Sequence, residues 1–133
     1  DWLASGMAGL VAWPFDEITW APANRSHVRR RGFDHGQLLA VALGRRLEAT
    51  PTALLVRDDD APLTGRTAAQ RSEALVLRVR SEVPGAVLIV DDVVTTGATL
   101  RAAARVLRAA GARAIFAVSA AYTPPPGLGP STR

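Results

Sequence analysis

The sequence predicts an α/β domain in which a parallel β-sheet is flanked by helices. Short apolar segments with β-branched residues, which favour strands, alternate with segments whose apolar residues recur at helical spacing. The chain has 133 residues, of which 48% are hydrophobic and 21% are charged, so it can fold around one core. Right-handed crossovers between parallel strands would bring the loops that follow the strands to one edge of the sheet.

The composition excludes several classes of protein. There is no cysteine, which excludes a disulfide framework and a thiolate metal site and is consistent with a cytoplasmic protein. No apolar run is long enough to cross a bilayer, so we expect no membrane insertion. All 16 basic residues are arginine, which binds phosphate through paired hydrogen bonds, and the net charge is +4. The chain starts at Asp1 without methionine, which suggests a piece of a longer protein.

The first part of the chain is predicted to contain two helices and two strands. A helix over Asp1–Trp13 ends before Pro14, and Gln37–Ala49 has a second apolar helical face. The core-facing residues predicted for the first helix are Trp2, Leu3, Met7, Leu10 and Val11. Ile18–Ala21 is predicted as the first strand and Thr52–Val56 as a second strand parallel to it.

The second part continues the alternation. Ala74–Arg80 and Ala114–Ala120 are predicted strands, and Val87–Val90, with four apolar residues, is predicted as a buried one. Leu100–Ala110 is predicted as a helix with an apolar side. Its opposite side carries Arg101, Arg105 and Arg108. We expect one domain over residues 1–122 and a tail over 123–133 that is rich in proline and glycine. Tyr122 is expected either to stack on a base or to pack at the rim or core.

The most informative stretch joins the Val87–Val90 strand to the helix after it. Asp91 and Asp92 follow the strand directly, and Thr95–Thr99 leads into the helix. The first N–H groups of a helix lack internal partners and carry partial positive charge, so they bind anions such as phosphate. Carboxylates suit sugar hydroxyls or Mg²⁺. An ordinary capped helix is the alternative, but capping requires one polar residue rather than a run of them.

This stretch resembles the phosphoribosyl pyrophosphate (PRPP) motif of type I phosphoribosyltransferases, in which apolar residues precede Asp-Asp, two further residues and Thr-Thr-Gly-x-Thr. The resemblance implies a single-domain type I phosphoribosyltransferase-like fold with a parallel sheet, flanking helices and a flexible loop or hairpin. It implies that Asp91 and Asp92 bind the ribose hydroxyls and contact Mg²⁺, the implied cofactor, indirectly through PRPP. The residues implied to bind the 5′-phosphate are Thr95, Thr96, Gly97, Ala98 and Thr99.

A second notable segment follows the first strand and is predicted to be a loop over Ala23–Gln37. Four arginines fall within Arg25–Arg31, where they repel one another unless an anion joins them. A solvated basic loop is the alternative. Its position at the carboxyl end of a strand, where open α/β sheets bind ligands, favours a ligand role. His27 and His35 are predicted as loop or phosphate contacts, because their spacing does not suit a metal.

This segment is similar to the ComF-like branch of the superfamily, which is linked to competence for DNA uptake. The similarity lies in the proline, the basic residues, Arg31-Gly32-Phe33 and the Leu-Ala helix that follows, and it extends over about Ile18–Ala121. ComF-like proteins have Asn-Gln where this chain has Asp34-His35. Members often begin with a Cys-rich zinc module; none remains in this sequence, which fits either a missing N-terminal piece or a degenerate branch.

The polar segment over residues 57–73 contains proline and glycine and is expected to be a mobile loop, with a helix starting at Thr67. In phosphoribosyltransferases such a loop closes over PRPP and excludes water. The residues that the resemblance implies for pyrophosphate binding are Asn24, Arg25, Arg66 and Arg71. Asp58-Asp59-Asp60 suggests a metal site or a solvated loop, and the alternating direction of adjacent side chains favours the loop.

Three functions share this predicted site. The first is a PRPP-dependent phosphoribosyltransferase that transfers phosphoribosyl to an unidentified acceptor and releases pyrophosphate. The second is a non-catalytic ComF-like protein that binds PRPP, single-stranded DNA through Arg29, Arg30 and Arg31, or both. The third is a PRPP-sensing regulator. Dimers are common in the superfamily, so a homodimer is one possibility, but the sequence leaves the oligomeric state open.

Overall fold

A computed structural model of the chain describes residues 2–58, 76–83 and 85–124. Within these ranges it contains both helices and strands, most of them at positions that the sequence predicts. The helices are α1 (Trp2–Leu10), α2 (Arg25–Arg31), α3 (His35–Leu47) and α4 (Ala98–Ala109). The strands are β1 (Glu17–Trp20), β2 (Leu55–Arg57), β3 (Leu77–Val79), β4 (Gly85–Val94) and β5 (Ala112–Tyr122).

The main sheet is parallel and has β4 at its centre, with β1 on one side and β5 on the other. Ile18 pairs with Leu88 across β1 and β4, and Asp91 pairs with Ser119 across β4 and β5. Helices α1 and α3 pack against one face of this sheet and α4 packs against the other. The predicted α/β fold, with a parallel sheet flanked by helices, is therefore confirmed.

The central strand contributes to the core on both of its faces. Successive residues of a strand point to opposite sides of the sheet. Val87 and Ile89 are buried in the cluster that includes Leu107 of α4, whereas Leu88 is buried with Leu43 of α3. Because β4 is enclosed on both sides, the residues at its carboxyl end project from a rigid support.

The prediction that Thr52–Val56 forms a strand parallel to the first is wrong. Strand β2 pairs antiparallel with β3 in a separate two-stranded sheet. The chain just before β2 does contact β1, because the Thr52 N–H donates to the Ile18 carbonyl at 2.9 Å and the Leu54 N–H donates to the Thr19 hydroxyl at 3.3 Å. A short apolar pattern predicts a strand but does not specify its partner.

The arginine-rich segment that was predicted to be a loop is instead partly helical, as α2. The Asn24 side chain accepts a hydrogen bond from the Ser26 N–H at 2.8 Å and caps the start of the helix. Gly32, at a φ of 84°, ends it, and its N–H bonds to the Val28 carbonyl at 2.7 Å. No residue of α2 is buried, so its ends are defined by these local caps rather than by packing.

Helix α1 is shorter than predicted and is rotated relative to the predicted apolar stripe. It buries Ala4 and Met7, whereas Trp2 is 83% exposed and Leu10 is 66% exposed. Leu3 and Val11 pack partly against the same core as Met7. The prediction that Trp2 and Leu10 face the core is therefore wrong.

The last two elements follow the prediction more closely. Helix α4 buries Ala103 and Leu107, and its three arginines at 101, 105 and 108 are exposed, as predicted. Both β4 and β5 extend beyond their predicted ends, so Tyr122 lies within β5 and is 64% exposed. The predicted helix from Thr67 and most of the tail lie outside the described residues. Among the helices described, none has the length and apolarity to span a membrane.

Candidate functional site

A cleft of about 270 Å³ opens at the carboxyl ends of β1 and β4, the edge at which the sequence predicts a site. Its walls come from the segment that follows β1, from α2, from the start of α3 and from the end of β4. Asp91 and Asp92 both line this cleft, and both side chains are half-buried rather than enclosed in the apolar core. The topology therefore places the two predicted carboxylates where a ligand can reach them.

The two carboxylates are held by short hydrogen bonds within β4. The Asp92 N–H donates to Oδ1 of Asp91 at 2.9 Å, and the Val93 N–H donates to Oδ1 of Asp92 at 2.7 Å. Both side chains are half-buried. A pair of carboxylates held in this way offers acceptors to a diol, whose hydroxyl groups donate.

Burial raises the pKa of Asp91 from 3.8 to about 7. A side-chain hydrogen bond with Asp92 and the negative charges of Asp92 and Asp34 act in the same direction, whereas the bond from the Asp92 N–H lowers the pKa. Asp91 is thus protonated over part of the pH range near neutrality. A ligand that donates hydroxyl groups or brings a cation would favour its ionised form.

We expect Asp91→Asn to be more stable than the wild-type protein at pH 8, and we expect this gain in stability to be smaller at pH 5. The folded-state pKa is raised, so the native protein binds more protons than the unfolded chain between about pH 4 and pH 7, and stability falls as the pH rises through that window. Because the side chain is only half-buried, solvent screening leaves a gain of about 1–2 kcal/mol for the variant at pH 8. Urea denaturation of both proteins at each pH measures it. The same gain at pH 5 and pH 8 would contradict the prediction.

A second, smaller cavity of about 40 Å³ adjoins the cleft and is lined by the loop between β4 and α4. Asp91 lines both cavities. Gly97, at a φ of 78°, is the N-cap of α4 and offers no side-chain acceptor to the first amides of the helix. The predicted phosphate-binding residues that line this cavity are Thr95, Thr96, Gly97, Ala98 and Thr99. The structure brings all of them together beside the carboxylates.

Arg101 supports this loop, a contact that the sequence did not predict. Its guanidinium donates to the Thr96 carbonyl at 2.9 Å. A Cβ on Gly97 would lie 3.1 Å from the same guanidinium nitrogen. Glycine at this position therefore permits both the positive φ and the close approach of the arginine.

The residues predicted to bind pyrophosphate are only partly brought to the cleft. Asn24 lines it, while its side chain caps α2. Arg25 is exposed and is not among the residues that line the cleft. Arg66 and Arg71 lie outside the described residues, so their role stays a prediction.

Asp34 joins the segment after β1 to the start of α3. Its Oδ1 accepts hydrogen bonds from the Gly36 N–H at 2.9 Å and the Gln37 N–H at 3.3 Å, which cap the helix. Its Oδ2 accepts a hydrogen bond from the Ala23 N–H at 3.1 Å. Both oxygens are used as acceptors, so the aspartate found here, where ComF-like proteins have asparagine, matches the donors around it.

We expect Asp34→Asn to destabilise the protein by about 1–2 kcal/mol. An amide has one acceptor oxygen, so it can serve either the α3 amides or the Ala23 N–H, and its NH₂ group would face the remaining donor. Urea denaturation measures the loss, with Glu48→Gln at the exposed far end of α3 as the control. Equal stability of Asp34→Asn and the wild-type protein would show that the bond to Ala23 contributes nothing.

Other residues of the cleft were only partly anticipated. His27 and His35, predicted as loop or phosphate contacts, both line it. Phe33 and Arg57 also line it and were missed, and the Phe33 ring meets the His35 ring edge-on at 4.8 Å between centroids. Arg31 was placed in the basic segment but not in the cleft, which it lines. The helical spacing of His27 and Arg31 would have indicated a shared side had the helix been recognised.

The described residues contain no group of three or more histidine, aspartate or glutamate side chains placed to hold a metal ion. Asp58, in the acidic run that suggested a metal, instead lies 3.7 Å from Arg78 in an ion pair. Asp91 and Asp92 fit Mg²⁺ in another way, since this ion commonly uses one or two carboxylates together with phosphate groups of a ligand.

Comparison with known proteins identifies related sequences. Residues 34–126 match the family model for the phosphoribosyl transferase domain. The ribose-phosphate pyrophosphokinase of Vibrio parahaemolyticus is 30% identical over 118 residues, which cover 88% of this chain and 38% of that protein. The Nostoc enzyme of the same name is 27% identical over 128 residues and is covered to 39%. The chain therefore spans less than half the length of these curated relatives.

Solved structures share the fold at lower identity. The glutamine PRPP amidotransferase of B. subtilis superposes with a TM-score of 0.64 at 22% identity, covering 89% of this chain and 25% of that one. The orotate phosphoribosyltransferase of Aeropyrum pernix superposes with a TM-score of 0.51 at 18% identity, covering 90% and 67%. These similarities establish the architecture of the chain and leave its substrate to be argued from the site.

Proposed function

Because the chain belongs to the phosphoribosyl transferase domain family, we propose that it binds PRPP and transfers the phosphoribosyl group to an acceptor with release of pyrophosphate. One observation carries the proposal. The carboxylates of Asp91 and Asp92 and the loop over Thr95–Thr99 meet at one end of the sheet and line adjoining cavities. This pairing of acceptors for hydroxyl groups with a helix N-terminus for an anion matches a ribose that carries a 5′-phosphate.

The proposed contacts assign two parts of the ligand, the ribose and the 5′-phosphate, to residues that the structure describes. The ribose 2′- and 3′-hydroxyls donate to Asp91 and Asp92, and the 5′-phosphate accepts from the backbone and hydroxyl groups of Thr95–Thr99. The ionised form of Asp91 is the better acceptor, and the hydroxyl donors of the ribose would lower its raised pKa. Binding of the sugar and loss of the proton are therefore linked.

The proposed reaction breaks the bond between C1 of the ribose and the pyrophosphate oxygen, and the electron pair leaves with pyrophosphate. A lone pair of the acceptor then forms a bond to C1, and an acceptor nitrogen that carries a proton releases it to water. Positive charge that develops on the ribose is stabilised by the nearby carboxylates, and negative charge on pyrophosphate is met by cationic side chains. Asn24, Arg25, Arg66 and Arg71 stay the residues proposed for this from family resemblance. Asp91 and Asp92 would help to hold Mg²⁺ indirectly, through the bound PRPP, and the ion would neutralise part of the pyrophosphate charge.

The experiment that tests this function has two stages. Calorimetric titration of the protein with PRPP in the presence of Mg²⁺ measures binding, and we expect a saturable site. Release of pyrophosphate across a panel of nucleobases and amines then tests transfer. Release with one acceptor class supports an enzyme, whereas binding without release in the whole panel favours a PRPP-sensing regulator. Absence of PRPP binding would overturn both the proposed enzyme and the PRPP-sensing regulator.

A second candidate function is that of a non-catalytic, ComF-like competence protein that binds single-stranded DNA. The observation that favours it is the exposed position of Arg29 and Arg30 on α2, outside the lining of the cleft. With Arg31 they place three consecutive positive charges at the end of α2, where a phosphate backbone could be attracted. Fluorescence anisotropy with a labelled oligonucleotide at several salt concentrations tests it. Arg29→Gln/Arg30→Gln should weaken binding, whereas the exposed Arg45→Gln on α3 should not.

A further inference from the structure

We propose that Arg101 of α4 is a positioning residue for the 5′-phosphate, because its bond to the Thr96 carbonyl turns the N–H of Gly97 toward the ligand. The inference rests on the proposed function, since it takes the loop over Thr95–Thr99 as the binding site of the phosphate. The sequence pattern assigns Arg101 only to the exposed side of a helix. The structure gives this side chain a directed contact with the loop that precedes the helix.

Arg101 differs from the other arginines on the exposed side of α4. Its guanidinium donates to the Thr96 carbonyl at 2.9 Å. Arg105 and Arg108 are also exposed, but within the described part of the chain neither side chain forms a hydrogen bond or an ion pair. A solvated helix face explains those two arginines and leaves the contact of Arg101 unexplained.

The position of Arg101 is unfavourable for the helix itself. The residue lies in the first turn of α4, where the partial positive charge of the helix dipole disfavours a cation, and this turn contains no acidic residue. The N-cap, Gly97, has no side chain that could accept a hydrogen bond from the first amides. The positive charges at this end are therefore not balanced within the helix, and a phosphate bound at the loop would balance them.

The bond from Arg101 fixes the orientation of one peptide unit. The peptide between Thr96 and Gly97 is trans, and the C=O and N–H groups of a trans peptide point in opposite directions. Because the Thr96 carbonyl is directed at the guanidinium, the Gly97 N–H points away from it. Among the residues that the structure describes, this N–H has no acceptor. It is therefore a donor available to a ligand.

Arg101 acts on such a ligand through the loop. Thr96 and Gly97 both line the small cavity before α4, whereas Arg101 is not among the residues that line this cavity or the cleft. The loop is otherwise held by a long local bond, which the Ala98 N–H donates to the Thr96 hydroxyl at 3.3 Å. An exposed loop with such weak support is easily distorted. A side chain that ties it to the helix reduces the entropy lost when a ligand orders the loop.

The test uses two ligands that both carry a 5′-phosphate, ribose 5-phosphate and PRPP, each titrated calorimetrically with Mg²⁺ into the full chain. Arg101→Gln, whose side chain is too short to reach the Thr96 carbonyl, should weaken both affinities by the same factor, about five- to tenfold. Arg101→Lys keeps a cationic donor of similar length and should lose no more than about twofold. Arg105→Gln, one turn farther along the same side of α4, is the matched control and should change neither affinity by more than about twofold.

Two further measurements separate positioning from a general structural role. The amide NMR signal of Gly97 in the ligand-free protein should shift in Arg101→Gln but not in Arg105→Gln. The melting temperature of Arg101→Gln should equal or exceed that of the wild-type protein, because a cation leaves the first turn of α4. A lower melting temperature together with weaker binding would show a structural role only and would overturn the inference.

The remaining outcomes distinguish this inference from the proposed function. Equal weakening by Arg101→Gln and Arg105→Gln would indicate a general effect of charge, and a loss confined to PRPP would place the guanidinium at the pyrophosphate; either result overturns the inference. If the wild-type protein binds both ligands and Arg101→Gln binds them equally well, the inference alone fails. If the wild-type protein binds neither ligand, the proposed function fails, and the inference fails with it.

Discussion

Replacement of Asp91 and Asp92 together by asparagine is expected to weaken PRPP binding about a hundredfold or more. Each carboxylate lines the cleft and would accept a charge-assisted hydrogen bond from a ribose hydroxyl. An asparagine accepts through one oxygen only and carries no charge, so both the bond to the hydroxyl and the attraction for Mg²⁺ are reduced. Calorimetric titration with PRPP and Mg²⁺ measures the loss.

The matched control for this variant is a ligand without the sugar. Inorganic pyrophosphate lacks the diol, so its affinity should change far less than that of PRPP. The double variant should also be at least as stable as the wild-type protein at pH 8, because it removes a carboxylate whose ionised form is disfavoured by burial. Equal PRPP affinities in the two proteins would refute the ribose-binding assignment of this pair.

Replacement of Gly44 by alanine is expected to destabilise the protein by about 2–3 kcal/mol, even though alanine is the better helix former. Gly44 is buried in α3, and its carbonyl accepts a hydrogen bond from the Ala49 N–H at 2.8 Å. A Cβ at this position would overlap the backbone carbonyl oxygen of Ala49 and would lie 3.1 Å from Cδ of Pro51. The chain that leaves α3 packs directly over this glycine, so backbone atoms would have to move.

Thermal denaturation measures this effect, and the midpoint should fall by about 10 °C. Gly6→Ala is the control, because Gly6 lies within α1 and nothing is within 4 Å of the Cβ that alanine would add. That variant should gain up to about 1 kcal/mol from the smaller entropy of its unfolded chain. Two variants of the same chemistry are thus expected to change stability in opposite directions. A loss of stability in both would point to a cause other than the contact with Ala49.

The centre of the site could be predicted because its signals are local. Four apolar residues before Asp91 and Asp92 predict a buried strand that ends in two acids. Gly97 and the threonines beside it predict a loop that opens a helix. Each property depends on neighbouring residues of the chain, so it is visible without knowledge of the partners. The described cleft and loop cavity contain these residues as predicted.

The elements that were predicted wrongly depend on competing or distant interactions. The run of arginines in α2 indicated a solvated loop, although Asn24 and Gly32 carry the cap signals that define the helix. Strand β2 was given a parallel partner, yet its three residues pair with β3 in the opposite direction. Strand pairing is a tertiary property, because an isolated apolar segment has no preference among the edges available to it.

The amino-acid sequence by itself determined the α/β class, the order of most helices and strands, and the position of the two acids and the Thr95–Thr99 loop at one end of the central strand. The tertiary structure alone decided that His27, Arg31 and Asp34 share a cleft with those acids, although they lie far from them along the chain. It also decided the raised pKa of Asp91, which results mainly from burial. Burial and proximity arise only when separate segments pack together, so no local pattern of residues encodes them.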